Sequence, residues 1–383
     1  MTPSERYLEL GLRLGRHVDG LVDSYYGPTE LKEQVDAEAL VPAETLAEDA
    51  SSLETALPDG WLRDQVHGLA TYARVLAGEQ ISYSDEVEAC YGVRPTRWDE
   101  DVYRAAHERL DALLPPGGSL LERREAWRQA HLMPADKLLP VLDDVLAELR
   151  RRTDSLFGLV PGEELFVEEV HDEPWWAFNY YLGGLRSRVV VNLDVPTTYD
   201  DMIDLAAHEG YPGHHTERTT KEQLLVTEQG MIDETINLVP TPQSLLAEAI
   251  AETADEILGD DARAAIVEIM ERHGIHYDAE RSHEVRQSFA PMRRLGLDAA
   301  LLIHEDGATE EQTKEHLMRF GVMTEERAEH SIRFVTDPTW RAYVITYSAG
   351  GDLARAYHGG DPAKFKQLLE GQVRARQLVA AAG

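Results

Sequence analysis

The strongest constraint on the fold is a change of texture in the middle of the chain. Across residues 4–24, 43–57, 61–79, 98–113, 119–130 and 135–153, apolar side chains recur at helical spacing, broken by the loop "LPPGGS" at 114–119. Then "LFGLVPGEELFVEEV" (156–170) and "WWAFNYYLGGLRSRVVVNLD" (175–194) turn rich in aromatic and β-branched residues, the composition of strands. Gly183-Gly184 between two such runs fits a tight hairpin needing positive φ at both positions. After Pro196 the helical pattern resumes and runs to the end. The reading is a mainly α-helical fold with one small antiparallel sheet. No linker separates the halves, so an N-terminal helical lobe (1–155) and a lobe carrying the sheet (156–383) are expected to form one two-lobed unit.

Composition narrows the function classes. With 383 residues, 43% hydrophobic and 28% charged, the chain can bury a large core. A net charge of −33 argues against nucleic acid and anionic membrane as partners, because both require Lys and Arg to neutralise phosphate. The single cysteine, Cys90, leaves no intrachain disulfide and no multi-thiolate metal site, so a metal must be held by His and carboxylate. The first twenty residues are charged and amphipathic rather than signal-like, and no apolar run spans a bilayer, so a cytoplasmic location is expected.

Residues 208–215, "HEGYPGHH", look like a zinc-hydrolase motif broken open. The usual His-Glu-x-x-His places two imidazoles one turn apart. Here Pro212 occupies the fifth position and the histidines return at 214 and 215. Thr198 with Asp201 makes a capping box for the motif helix, and Met202, Leu205, His208 and Glu209 share one sector at about 100° per residue. In an unbroken helix His214 would lie about 240° from His208, out of reach of a shared ion. Pro212-Gly213 predicts a break that returns His214 to the ligand position, leaving His215 behind the ligands or against substrate. Glu209, sharing an apolar face, needs a partner such as a metal or its water.

A third ligand is expected from "TPQSLLAEAIAETADEIL" (241–258), with Thr241 as N-cap and Pro242 at the first helical position. Leu246, Ile250, Ala254 and Ile257 form its apolar stripe. By periodicity Glu248, Glu252 and Asp255 lie opposite, an ordinary solvated face. Ala247, Ala249 and Ala251 nevertheless permit close approach of another helix to Glu248. Periodicity alone leaves both readings open.

The motif resembles the "HEAYPGHH" block of the domain-of-unknown-function 885 family, presumed zinc metallopeptidases. Gly213-His214 matches the Gly-His of related shorter motifs and so implies His214 as ligand. The family's downstream block, Glu-Gly-Trp-Ala-Leu-Tyr-Ala-Glu, aligns its first Glu on Glu248, although Ala249 and Ile250 replace Gly and Trp. Its C-terminal Arg-Tyr, Pro and Tyr-x-x-Gly correspond to Arg333, Pro338, Tyr347 and Gly350, with longer spacing and Phe334 for the tyrosine. The resemblance covers about the last 210 residues in blocks; "DSYYGP" (23–28) is a loose match in the N-terminal half.

Together these readings imply a hydrolase of peptide or small amide substrates. One zinc per chain would be held by His208, His214 and Glu248, with Glu209 as general base and Tyr347, or failing that Arg333, stabilising the oxyanion. His215, Glu252 and Asn192 are expected behind the ligands or against substrate. The strand 187–194 would offer an edge to an extended peptide. Two His and one Glu also compose the site of non-haem iron enzymes, and a non-catalytic helical binding protein is the remaining alternative.

Overall fold

The computed structural model describes residues 1–173 and 175–383. The fold is mainly helical, with strands β1 (Val22–Tyr25), β2 (Glu164–Val170), β3 (Ala177–Tyr181), β4 (Arg186–Asn192) and β5 (Ile236–Leu238). Its buried apolar side chains form one cluster, running from Tyr7 near the N-terminus to Leu378 near the C-terminus.

The first helix, Pro3–Gly15, starts as its sequence demands: Thr2 and Glu5 make a reciprocal capping box and Pro3 stands in the first turn. It stops at Gly15, nine residues before the expected end at 24. A Cβ on Gly15 would lie 2.6 Å from Val22 Cγ2, so the chain folds back and Val22 packs where a side chain would have been. That return begins β1, which pairs antiparallel with β5 in a two-stranded sheet that periodicity did not foresee.

The larger sheet has the order β2-β4-β3. The hairpin joining β3 to β4 is as expected, with φ of 71° at Gly183 and 64° at Gly184. The sheet is mixed rather than antiparallel, because β2 runs parallel to β4 from Glu164↔Arg186 to Val170↔Asn192. The reason lies in side-chain patterning. Val189, Val190 and Val191 are all buried, as suits a central strand, whereas β2 alternates between exposed and half-buried residues as edges do. The strand expected to expose an edge is therefore paired on both sides. The open edge near the motif belongs to β3.

Two helices position the site. Ala135–Phe157 turns Leu138, Val141, Leu142, Val145, Leu146 and Leu149 inward at helical spacing. Leu146 Cδ2 reaches to 2.7 Å from where a Cβ on Gly210 would be, which seats the motif against this helix. The helix Pro242–Glu252 is buried at every residue from Pro242 to Ala251. It has no solvated face, so the ordinary reading of Glu248 as a surface acid fails. Its N-terminus is capped from a distance: Gln65 Oε1 accepts from the Gln243 amide at 2.9 Å, while the Thr241 hydroxyl donates instead to the Leu238 carbonyl at 2.7 Å. Among the described residues, no helix is long and apolar enough to cross a membrane.

Candidate metal centre

The motif breaks where Pro212-Gly213 predicts. A short α-turn, Asp201–Leu205, widens into a π-turn over Ala206–Gly210, and a new helix begins at His214. The Asp201 carboxylate accepts from both the amide and the hydroxyl of Thr198, half of the expected capping box. Between the helices the Tyr211–Pro212 bond is cis. The Gly213 amide donates to the Ala207 carbonyl at 2.9 Å. A Cβ on Gly213 would lie 2.1 Å from the His208 carbonyl oxygen and 2.3 Å from that of Ala207, so only glycine fits there.

This turn brings His208 and His214 together with their rings 4.8 Å apart and nearly perpendicular. Glu248 faces both: its Oε2 lies 3.6 Å from His208 Nε2 and its Oε1 3.6 Å from His214 Nε2. All three ligand atoms fall within 4.8 Å of one another. A tetrahedral ion with bonds of ~2.0–2.1 Å holds its ligand atoms roughly 3.3–3.4 Å apart, and both histidine–carboxylate separations of 3.6 Å come close to that. Tyr343 donates its hydroxyl to Glu248 Oε1 at 2.9 Å, whereas Glu248 Oε2 is buried with no hydrogen-bond partner among the described residues. A buried carboxylate oxygen left unpaired is costly unless a cation answers it. The residues fit a metal.

Small side chains make the approach of Glu248 possible. Residues Thr346–Gly350 form another π-turn packed on the Glu248 helix, and a Cβ on Gly350 would already stand 3.4 Å from Ala249 Cβ and the Leu245 carbonyl. Ala249 thus does what its size suggested.

Electrostatics separate the four groups. Burial, helped by His214, pushes His208 down to about 4 and keeps it a neutral imidazole. Burial also works against charge on His214 and Glu248, but their mutual hydrogen bond and attraction outweigh it, raising the histidine and lowering the carboxyl. Burial raises Glu209 to about 7, with His214 opposing and Glu248 adding to the rise. The Glu209 carboxylate makes no hydrogen bond or ion pair with the described residues. Its backbone is held instead, the Asn179 amide of β3 donating to the Glu209 carbonyl. His208 and Glu209 both line a cavity of about 210 Å³, whose wall includes Trp176.

The remaining expected residues scatter. His215 is fully buried and bonds Glu163 Oε2 at 2.6 Å and Ser187 Oγ at 2.8 Å, behind the ligands and away from any substrate. Glu252 lines the cavity, paired with Arg293 at 3.0 Å. Asn192 is buried and spends its side-chain amide on the carbonyls of Glu173 and Trp175, a structural clasp at the end of β4 rather than a site contact. Tyr347 is 39% exposed, its ring 5.3 Å from that of Tyr343. Its burial on one side and the nearby Glu248 charge keep its phenol neutral. Arg333 lies exposed on the helix Glu325–Thr336 and makes no side-chain bond or ion pair with the described residues.

Sequence reasoning missed Tyr343, Glu163, Ser187, Asn179 and Arg293. Tyr343 stands 95 residues from Glu248 and Glu163 stands 52 from His215, so no local pattern connects them. Only the loose "DSYYGP" match marked the N-terminal segment, and the charge of Asp23 adds to the rise of the Glu209 carboxyl.

No family model and no curated protein matches this chain. Among solved structures it is similar to a protein of Colwellia psychrerythraea described as a "putative lipoprotein", at 17% identity and a TM-score of 0.53, covering 97% of this chain and 65% of that one. It is also similar to one of Shewanella oneidensis, described as a "putative lipoprotein of unknown function", at 14% identity and a TM-score of 0.50, covering 98% of this chain and 72% of the other. The chain thus spans about two thirds of the length of these proteins, and the likeness is one of fold.

Proposed function

We infer that the protein is a zinc-dependent hydrolase of peptide or amide bonds, of the kind the domain-of-unknown-function 885 resemblance implies. One observation carries this reading: the two imidazoles and the carboxylate of His208, His214 and Glu248 converge within 4.8 Å, with Glu248 Oε2 buried and unpaired. His208, His214 and Glu248 would hold the ion. Zinc with three such ligands keeps a fourth position and supplies Lewis acidity that acidifies a water.

The chain's own groups do the rest. Glu209, with its carboxylate free of protein partners, takes a proton from the attacking water and passes it to the leaving nitrogen as the C–N bond breaks. Tyr347, neutral and partly exposed, donates a hydrogen bond to the oxyanion that forms. Arg333 is the weaker candidate, since it stands exposed on a separate helix. The edge of β3, anchored to the motif through Asn179 and Glu209, offers an extended substrate a strand to pair with.

Elemental analysis of the purified protein, with cleavage of a quenched peptide library before and after chelation, tests this reading. One zinc per chain and chelator-sensitive cleavage are expected; stoichiometric iron, or no metal uptake at all, overturns it. A cytoplasmic setting is part of the proposal, and recovery of the native protein with membranes in cell fractionation would overturn that part.

A further inference from the structure

The chain carries a net charge of −33, yet one hollow beside the metal centre is lined by more cations than acids. This hollow, of about 180 Å³, is walled by Arg109, Arg293, Arg294 and Arg355 against the carboxylates of Glu252 and Asp352. Tyr347 stands in the same wall, and Arg293 and Glu252 also line the cavity holding His208 and Glu209. The two spaces meet across the Arg293–Glu252 pair.

The four arginines are not equally free. Arg355 is held by Glu256 and Asp352. Arg294 lies over the Trp98 ring at 4.4 Å, donates to the Ser348 and Thr96 carbonyls and stands 3.5 Å from Asp352, yet its buried Nε has no hydrogen-bond partner among the described residues. Arg293 has one acidic partner and a side chain 39% exposed. Arg109 is exposed and makes no hydrogen bond or ion pair with the described residues. Guanidinium groups with donors to spare suit a planar carboxylate, which they can grip in a fork. An acidic ligand meets repulsion over most of this protein, and a cationic recess beside the reacting groups reverses that locally.

We propose that this arginine-lined hollow, centred on Arg293, holds a carboxylate of the substrate while the bond to be cleaved lies across the Arg293–Glu252 pair at the metal centre. The inference rests on the hydrolase reading and deepens it: the substrate is a peptide or N-acyl amino acid presenting a free carboxylate close to the scissile bond.

Calorimetric titration with N-acetyl dipeptides ending in alanine or phenylalanine, each as free acid and as carboxamide, tests this on the metal-loaded and the metal-free protein. Free acids should bind about tenfold more tightly than the amides, the worth of one charge-assisted contact. Arg293→Gln should abolish the preference. Arg109→Gln, at an exposed unpaired position, should reduce it and keeps the test valid if the first variant fails to fold. An amidated dipeptide ending in glutamate that binds like the free acids would identify the held group as a side-chain carboxylate. Equal binding of acids and amides, binding of neither at millimolar concentration, or an unchanged preference in both variants overturns the proposal. If no metal is taken up and nothing is cleaved while the acid preference persists, the hydrolase reading fails and the carboxylate site stands. Chelator-sensitive cleavage without any acid preference fails this inference alone.

Discussion

His214 and His215 are neighbours in the chain and opposites in environment. His214 looks into a shared space with His208 and Glu248, where one carboxylate oxygen lacks a hydrogen-bond partner among the described residues. His215 points the other way, into a closed network in which Glu163 accepts from Tyr211 at 2.8 Å and pairs with Arg150 at 2.6 Å. The first region is left electrostatically incomplete, and the second is complete. A polar cluster with all partners in place rigidifies the fold, whereas one with a missing cation marks where a ligand belongs.

The contrast breaks most visibly at Glu209, which should matter only on the incomplete side. Glu209→Gln keeps size and hydrogen bonding but cannot take a proton at neutral pH. It should keep its zinc and lose about 10²–10⁴ in hydrolysis rate, as general-base catalysis is typically worth. Loss of zinc would make Glu209 a ligand and displace Glu248. Retention of both metal and activity would favour oxygen chemistry at the two-His, one-Glu site.

Tyr347→Phe should lower kcat by roughly 10²–10³ with metal content intact, if the phenol is a principal oxyanion donor. Turnover equal to wild type would move that role to Arg333 or elsewhere.

The two histidines provide the direct comparison. His214→Ala should abolish zinc binding, read by elemental analysis, while the protein stays folded. His215→Ala should keep zinc but lose about 1–3 kcal/mol of stability in denaturant, because it leaves its buried partners Glu163 and Ser187 each short of a hydrogen bond. The reverse pattern would mean that the complete network is the metal site.

The smallest effect sharpens the network side. Burial alone would raise the Glu163 carboxyl, but the His215 and Tyr211 hydrogen bonds outweigh it and hold it below its ordinary range. A depressed carboxyl stabilises the folded state above its unfolded pKa of about 4.3, and that contribution fades as pH falls through the lower folded value. The melting-temperature gap between wild type and Glu163→Gln should therefore hold from pH 7 to about 5 and narrow as pH falls below the unfolded value of about 4.3. A gap independent of pH would show that packing, not charge, holds this network.

Much of this was legible in the residues themselves. The helical texture, the Gly183-Gly184 hairpin and the break at Pro212-Gly213 follow from side-chain periodicity and backbone preference, which act over a few residues. The break also implied that His214 turns towards His208, because in an unbroken helix it would lie about 240° away, while His215, on the face of His208, would stand two turns off. What tertiary structure alone decided lies at long range. Periodicity left Glu248 as either a surface acid or a ligand; burial of its helix on all sides rules out the surface acid, and Tyr343, 95 residues away, holds its carboxylate. The parallel pairing of β2, the early stop of the first helix at Gly15 and the capture of His215 by Glu163 are likewise set by packing partners distant in sequence. Local rules choose each segment's conformation, but which segments meet is decided by burying their faces together, and no short window of sequence carries that.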